Sequence, residues 1–161
     1  MDMIEKQVNG GSVDSPMGPV SILSDGVAVV GVFFGPLPAG IGEGTDAVLE
    51  QARVEMEQYF AGHRKDFTVG LAPRGTDFQQ RVWKALQRIP YGQTRTYAEI
   101  AAQVGNPKAA RAVGMANNRN PIGIIIPCHR VIGADGTLTG YAGGLHFKQF
   151  LLDLERSHGG V

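Results

Sequence analysis

TYAEIAAQVGNPKAARAVGMA, residues 96–116, is the stretch on which the architecture turns. Thr96 and Glu99 fit a capping box, in which the cap hydroxyl and the side chain three residues on satisfy free helix N–H groups. Tyr97, Ile100, Ala101 and Val104 then recur at i, i+3, i+4 and i+7, the stripe of an amphipathic helix. Gly105 stops it. Asn106 and Pro107 predict a second helix, capped by the asparagine with proline at its first position, running to about residue 117. The pair has the lengths and the glycine-containing turn of a helix-turn-helix. Its second helix is unusual for reading bases, because small residues dominate it and only Lys108 and Arg111 are long and cationic. Such a helix, with Ala110 among its small residues, suits close approach in the minor groove. That favours phosphate anchoring and one inserted side chain over operator recognition, and Arg111 is the candidate for the inserted group. The plain alternative is an Ala-rich helix packed inside a helical domain.

Working outward, Thr76 and Gln79 form another capping box, followed by an apolar face of Phe78, Val82, Ala85, Leu86 and Ile89 that Pro90-Tyr91-Gly92 stops. Residues 72–75 (APRG) mark a boundary. The reading is two domains, 1–72 and 76–161, the second mostly α-helical with the helix-turn-helix. In the first, Val20 and Ile22 answer Val27 and Val29 across Ser24-Asp25-Gly26 as a hairpin. A helix follows with Val48, Leu49, Ala52, Met56, Tyr59 and Phe60, ended by Gly62. Phe67–Leu71 is expected to be a further strand, which makes this half a small α/β unit.

The charge is split between the halves. Residues 1–73 hold 4 Lys/Arg against 10 Asp/Glu, and residues 74–161 hold 11 against 5, although the whole chain is neutral. A basic half points to a polyanion partner, or to attraction between the halves. No apolar run is long enough to span a bilayer, and the polar N-terminus is not a signal peptide, so a cytoplasmic protein is expected. One cysteine excludes an internal disulfide, and no Cys/His cluster has zinc spacing.

That cysteine sits in IIIPCHRV, residues 124–131. Ile122–Ile126 is expected to be a buried strand that Pro127 ends, leaving Cys128 at a rigid strand terminus. A free thiol is only a few per cent thiolate at neutral pH and needs a base or positive charge beside it. His129 and Arg130 are adjacent, yet neighbours on a strand point to opposite faces. His129 would therefore reach Cys128 only through a turn or a bridging water. Near the C-terminus, Phe147, Phe150, Leu151 and Leu154 form an apolar face, and Glu155 borders it as a carboxylate able to orient a histidine. Between them, four glycines surround Tyr141 in a loop suited either to close backbone approach to a ligand or to serving as a flexible connector.

Together, IPYGQTRTYAEIA, NPKAARAVGMANN, NPIGIIIPCHRVIG, GYAGG and LLDLE closely resemble the O6-alkylguanine-DNA alkyltransferases, almost continuously from residue 76 to 155. The first 70 residues match only in pattern, which would correspond to that family's ribonuclease-H-like N-terminal domain. The resemblance implies that Cys128 takes an alkyl group from O6 of guanine, once per molecule and without a cofactor. His129 would act on the thiol through a water, with Glu155 behind it and Asn120 supporting the network, while Tyr97 donates a proton toward guanine N3. The carbonyls of Cys128 and Val131 would receive the exocyclic amine, the Ala142 amide would face O6, and Tyr141 would wall the pocket. Arg111 would replace the flipped nucleotide, with Lys108, Ala110 and Arg130 also on the DNA side. The partner implied is double-stranded DNA carrying O6-alkylguanine, bound by a monomer, with cooperative binding left open. The zinc-site cysteines of some members are missing here.

Three other readings compete. A non-enzymatic lesion binder has tryptophan where this chain has Cys128. A transcription regulator would prefer one duplex sequence regardless of alkylation. A cysteine hydrolase would turn over an ester repeatedly.

Overall fold

The computed structural model describes residues 8–141 and 143–159, and the chain divides into two compact units, 1–73 and 74–161. In the first unit β1 (Asn9–Ser15), β2 (Gly18–Ser24) and β3 (Val29–Phe34) form an antiparallel sheet in chain order. The hairpin between β2 and β3 is present as alternation predicted, but Val27 lies in the turn, 83% exposed, and the partners are Phe34 for Val20 and Val32 for Ile22. Strand β1 was not legible, because NGGSVDS is polar and glycine-rich; its pairing with β2 makes it a strand.

Helix α1 (Ala47–Phe60) covers the sheet with Leu49, Ala52, Met56 and Tyr59, all fully buried. Its cap, Asp46, accepts from the Leu49 N–H and also from Asn9 and Ser24, so the helix start is tied to two strands. The strand expected at Phe67–Leu71 is absent. That segment makes one bridge, Val29 to Leu71, and the N–H groups of Thr68 and Val69 donate instead to the buried Glu55 carboxylate (2.9 and 3.2 Å). A side chain has taken the role a neighbouring strand would have played.

The second unit is helical: α2 (Asp77–Leu86), α3 (Tyr97–Gln103), α4 (Ala110–Asn118) and α5 (Leu145–Gly159). Both expected capping boxes are formed in full. Helix α2 buries Val82, Ala85 and Leu86 of its expected stripe and Trp83 besides, while Phe78 is only half-buried and Ile89 lies beyond the helix end. The Trp83 indole donates to the Ala116 carbonyl of α4 (2.9 Å). Helix α4 begins later than its sequence promised. The Ala109 N–H bonds to the Asn106 carbonyl (2.9 Å), closing a turn through Pro107 and Lys108, and Ala109 caps α4 without a side-chain bond.

Two short strands complete the unit. β4 (Arg95–Thr96) pairs in parallel with β5 (Val131–Ile132), setting the start of α3 beside the residues that follow Cys128. Among the described residues, no helix is long and apolar enough to cross a membrane.

Candidate active site

Ile122–Ile126 is not the strand its hydrophobicity predicted. A continuous apolar run reports burial, and burial does not choose between strand and coil. Here the Ile125 N–H bonds to Gly123 (2.7 Å), Ile126 to Ile122 (3.0 Å) and Cys128 to Ile126 (2.7 Å), so the backbone is satisfied locally. Ile124 sits at φ 69°, a strained value for a β-branched residue. Asn120 holds the coil from one end: its Oδ1 accepts the Ile122 N–H (2.9 Å) and its Nδ2 donates to the Ile126 carbonyl (2.7 Å).

After Pro127 the chain makes a single 3-10 turn, Cys128–Arg130, and every side chain in it is buried. The turn removes the opposite-face problem of an extended chain. His129 points at α5, where its Nε2 lies 2.7 Å from Glu155 Oε2. Arg130 makes a two-pronged ion pair with the same carboxylate, Nε to Oε1 at 2.8 Å and Nη2 to Oε2 at 2.9 Å. Its Nη1 donates to the Ile89 carbonyl (2.7 Å) and the Tyr91 ring lies over the guanidinium. Arg130 is therefore not on the DNA side as expected, since it is 7% exposed and its donors are engaged inside the unit.

Glu155 also accepts the Gly92 N–H (3.2 Å). Burial alone would raise its pKa, but His129 and Arg130 hold the carboxyl well below the usual range, so it is ionised. Burial pushes His129 down against the pull of Glu155, which makes the ring neutral at pH 7. A neutral imidazole beside a carboxylate donates through the nitrogen nearer to it. Nε2 thus carries the proton and Nδ1 is left as the acceptor. Nδ1 is buried with no partner among the described residues.

Cys128 is 7% exposed, and burial raises its pKa; the Asn120 amide and the Lys148 charge act in the opposite direction, favouring thiolate. Lys148 was not read from the sequence. The buried face of α5 is Lys148, Leu151, Leu152 and Glu155, rotated from the expected Phe147, Phe150, Leu151 and Leu154. Fully buried, Lys148 donates to the Thr139 carbonyl (2.8 Å), and burial lowers its pKa to about 8. The Tyr97 hydroxyl donates to that same carbonyl (3.1 Å) and accepts from the Thr139 hydroxyl (3.2 Å). The one hint in the sequence was i, i+7 spacing with Glu155, too weak to separate a buried lysine from a surface one.

The other candidates are placed as follows. Val131 is fully buried in β5. Tyr141 is half-buried, and burial, with the Cys128 charge, raises its pKa. Ala142 lies outside the described residues. Lys108 and Arg111 are exposed and Ala110 half-buried. A depression of about 470 Å³ is lined by Tyr97, Arg111, Gly114, Met115, Asn118 and Gly140, which brings α3, α4 and the glycine loop to one surface. Among the described residues, no three His, Cys, Asp or Glu side chains gather to hold a metal.

Two family models match: "6-O-methylguanine DNA methyltransferase, DNA binding domain" over residues 77–157, and the same enzyme's "ribonuclease-like domain" over residues 10–73. The chain belongs to the 6-O-methylguanine DNA methyltransferase family. A methylated-DNA–protein-cysteine methyltransferase of Methanosarcina acetivorans is 54% identical over 149 residues, covering 89% of this chain and 96% of that one. One from Mycobacterium tuberculosis is 48% identical over 158 residues, with 91% of each chain covered. Among solved structures, the M. tuberculosis protein in complex with DNA superposes with a TM-score of 0.86 at 49% identity, covering 93% of this chain and 94% of that one. The family's two-domain fold, ribonuclease-like and DNA-binding, is therefore the fold of this chain.

Two outcomes follow from the charges. Glu155→Gln leaves Arg130 buried without its counter-ion, and urea unfolding at pH 7 should show a loss of about 3–5 kcal/mol. Because the folded carboxyl titrates below its ordinary 4.5, its stabilisation is complete above that pH and is lost as pH falls through the folded value. The gap between wild type and variant should accordingly narrow in acid. Lys148→Met removes a charge that favours thiolate, so the midpoint of the pH profile for iodoacetamide reaction at Cys128 should move upward. An unmoved midpoint would show that the lysine does not bear on the thiol.

Proposed function

We propose that this chain repairs double-stranded DNA by direct reversal, taking the alkyl group from O6 of guanine onto Cys128. The observation that carries the reading is the buried His129–Glu155–Arg130 chain on the turn that holds the thiol, with a neutral imidazole whose free acceptor is Nδ1. Through a bridging water, Nδ1 would accept the proton that leaves the thiol, consistent with the family resemblance. The sulfur then attacks the alkyl carbon in line. The S–C bond forms as the C–O6 bond breaks, and the electron pair passes into the purine.

The purine gains a proton as it leaves. Tyr97 is the donor for N3 in this scheme, its hydroxyl exchanging the Thr139 carbonyl for the base. Lys148 supports the thiolate through its charge. The Val131 carbonyl receives the exocyclic amine and Tyr141 walls the base, while the Cys128 carbonyl, whose two lone pairs are taken by the Val131 N–H and the Asn117 amide, is not free for it. A thioether has no hydrolytic way back, so each molecule acts once.

Delivery falls to α4. Arg111 is exposed on it and borders the depression shared with Tyr97, as a side chain that enters the stack in place of a flipped nucleotide must be. Lys108 and Ala110 contribute phosphate attraction and close approach. The protein acts as a monomer. A nucleophile kept as a free thiol suits a reducing compartment, and we place it in the cytoplasm.

The direct test is mass spectrometry of protein incubated with a duplex holding one O6-methylguanine. A gain of one CH₂ unit on the Cys128 peptide, never more than one per protein in excess DNA, is expected. No gain, with the lesion duplex still preferred in binding, would instead describe a lesion binder. Arg111→Ala should slow transfer from duplex on the order of 10- to 100-fold, the scale of a few kcal/mol of flipping, while reaction with free O6-benzylguanine changes little. Equal losses would remove Arg111 from the insertion role.

A further inference from the structure

Helix α4 carries a buried asparagine for which the chemistry above has no use. Asn117 is 2% exposed and lies on the inward face with Val113 and Ala116, while Arg111, Met115 and Asn118 look outward or border the depression. Its Nδ2 donates to the carbonyl of Cys128 at 3.3 Å. A carbonyl can only accept, so the amide's orientation is decided by this contact. Its Oδ1 has no partner among the described residues.

Stability does not account for this arrangement. The Cys128 carbonyl already accepts the Val131 N–H that closes the 3-10 turn, so it would not be orphaned without Asn117. An apolar side chain of the same size would remove a buried, unpaired oxygen, which is a destabilising feature. The contact does something else: it ties the nucleophile's own peptide to α4. The preceding residue of α4, Ala116, is held by the Trp83 indole, and Asn120 holds Ile126 on the other side of Pro127. Two amides thus bracket the proline that precedes the thiol.

We propose that Asn117 is a positioning residue. It keeps Cys128 in register with α4, so that the sulfur meets the alkyl carbon of a base brought in by that helix. The inference rests on the repair reading above. An in-line displacement requires sulfur, carbon and oxygen on one line, and a misplacement of about 1 Å can lower the rate on the order of 100-fold.

The test is Asn117→Leu, measured in three ways beside the wild type. The thermal midpoint should stay the same or rise, affinity for the lesion duplex should be unchanged, and the single-turnover transfer rate at saturating duplex should fall on the order of 10-fold or more. Iodoacetamide should react with the variant's thiol as with the wild type's, because a small freely diffusing electrophile needs no register. An unchanged transfer rate overturns the proposal, and so does a rate lost only in step with thermal stability. If the leucine variant does not fold, Asn117→Ala assayed well below its midpoint decides by the same criteria. Failure of the wild type to transfer at all removes the repair reading and this proposal together.

Discussion

One carboxylate organises the second unit. Glu155 stands fully buried on α5 and accepts from His129, from two nitrogens of Arg130 and from the Gly92 backbone. A charge in that position would be expelled from the interior if any of these donors were missing. Their presence joins three parts of the chain that have no sequence relation: the loop before β4, the turn after Pro127 and the C-terminal helix. The same carboxylate selects the imidazole tautomer, so the group that holds the fold together also sets the proton inventory beside the thiol.

The surroundings of Cys128 balance opposing influences. Burial disfavours the thiolate, and the Asn120 amide and Lys148 favour it. Lys148 is itself poised near neutrality at about 8, because burial disfavours its charge as well. In this setting the net result is a thiol whose pKa lies above its ordinary value, so a thiolate there has to be generated by a base. The Thr139 carbonyl, shared by Lys148 and the Tyr97 hydroxyl, joins α5, the glycine-bearing segment and α3 at the edge of that setting.

Helix α4 divides its faces between two tasks. Its outer face offers Arg111 over a surface of small residues, and its inner face meets Trp83 and the Cys128 peptide through Ala116 and Asn117. Small side chains outside permit close approach, and polar contacts inside fix the helix against the site. This explains why the second helix of a helix-turn-helix can lack the base-reading residues that such helices usually carry.

Much of this was legible in the residues themselves. Capping boxes at Thr76 and Thr96 and the stripes of α1, α2 and α3 follow from local chemistry, because the groups that satisfy one another lie within four residues, and the hairpin of β2 and β3 follows from alternation across a short turn. The motifs around Cys128 named the family for the same reason, as a contiguous string. What the sequence left open were contacts made across long separations. Ile122–Ile126 looked like a strand because hydrophobicity reports burial and not conformation. Arg130 looked like a DNA contact because a lone cation gives no sign of a carboxylate 25 residues away. Lys148 and Asn117 were passed over because a polar side chain is costly to bury unless a distant partner awaits it, and only the tertiary structure supplies the Thr139 and Cys128 carbonyls that receive them.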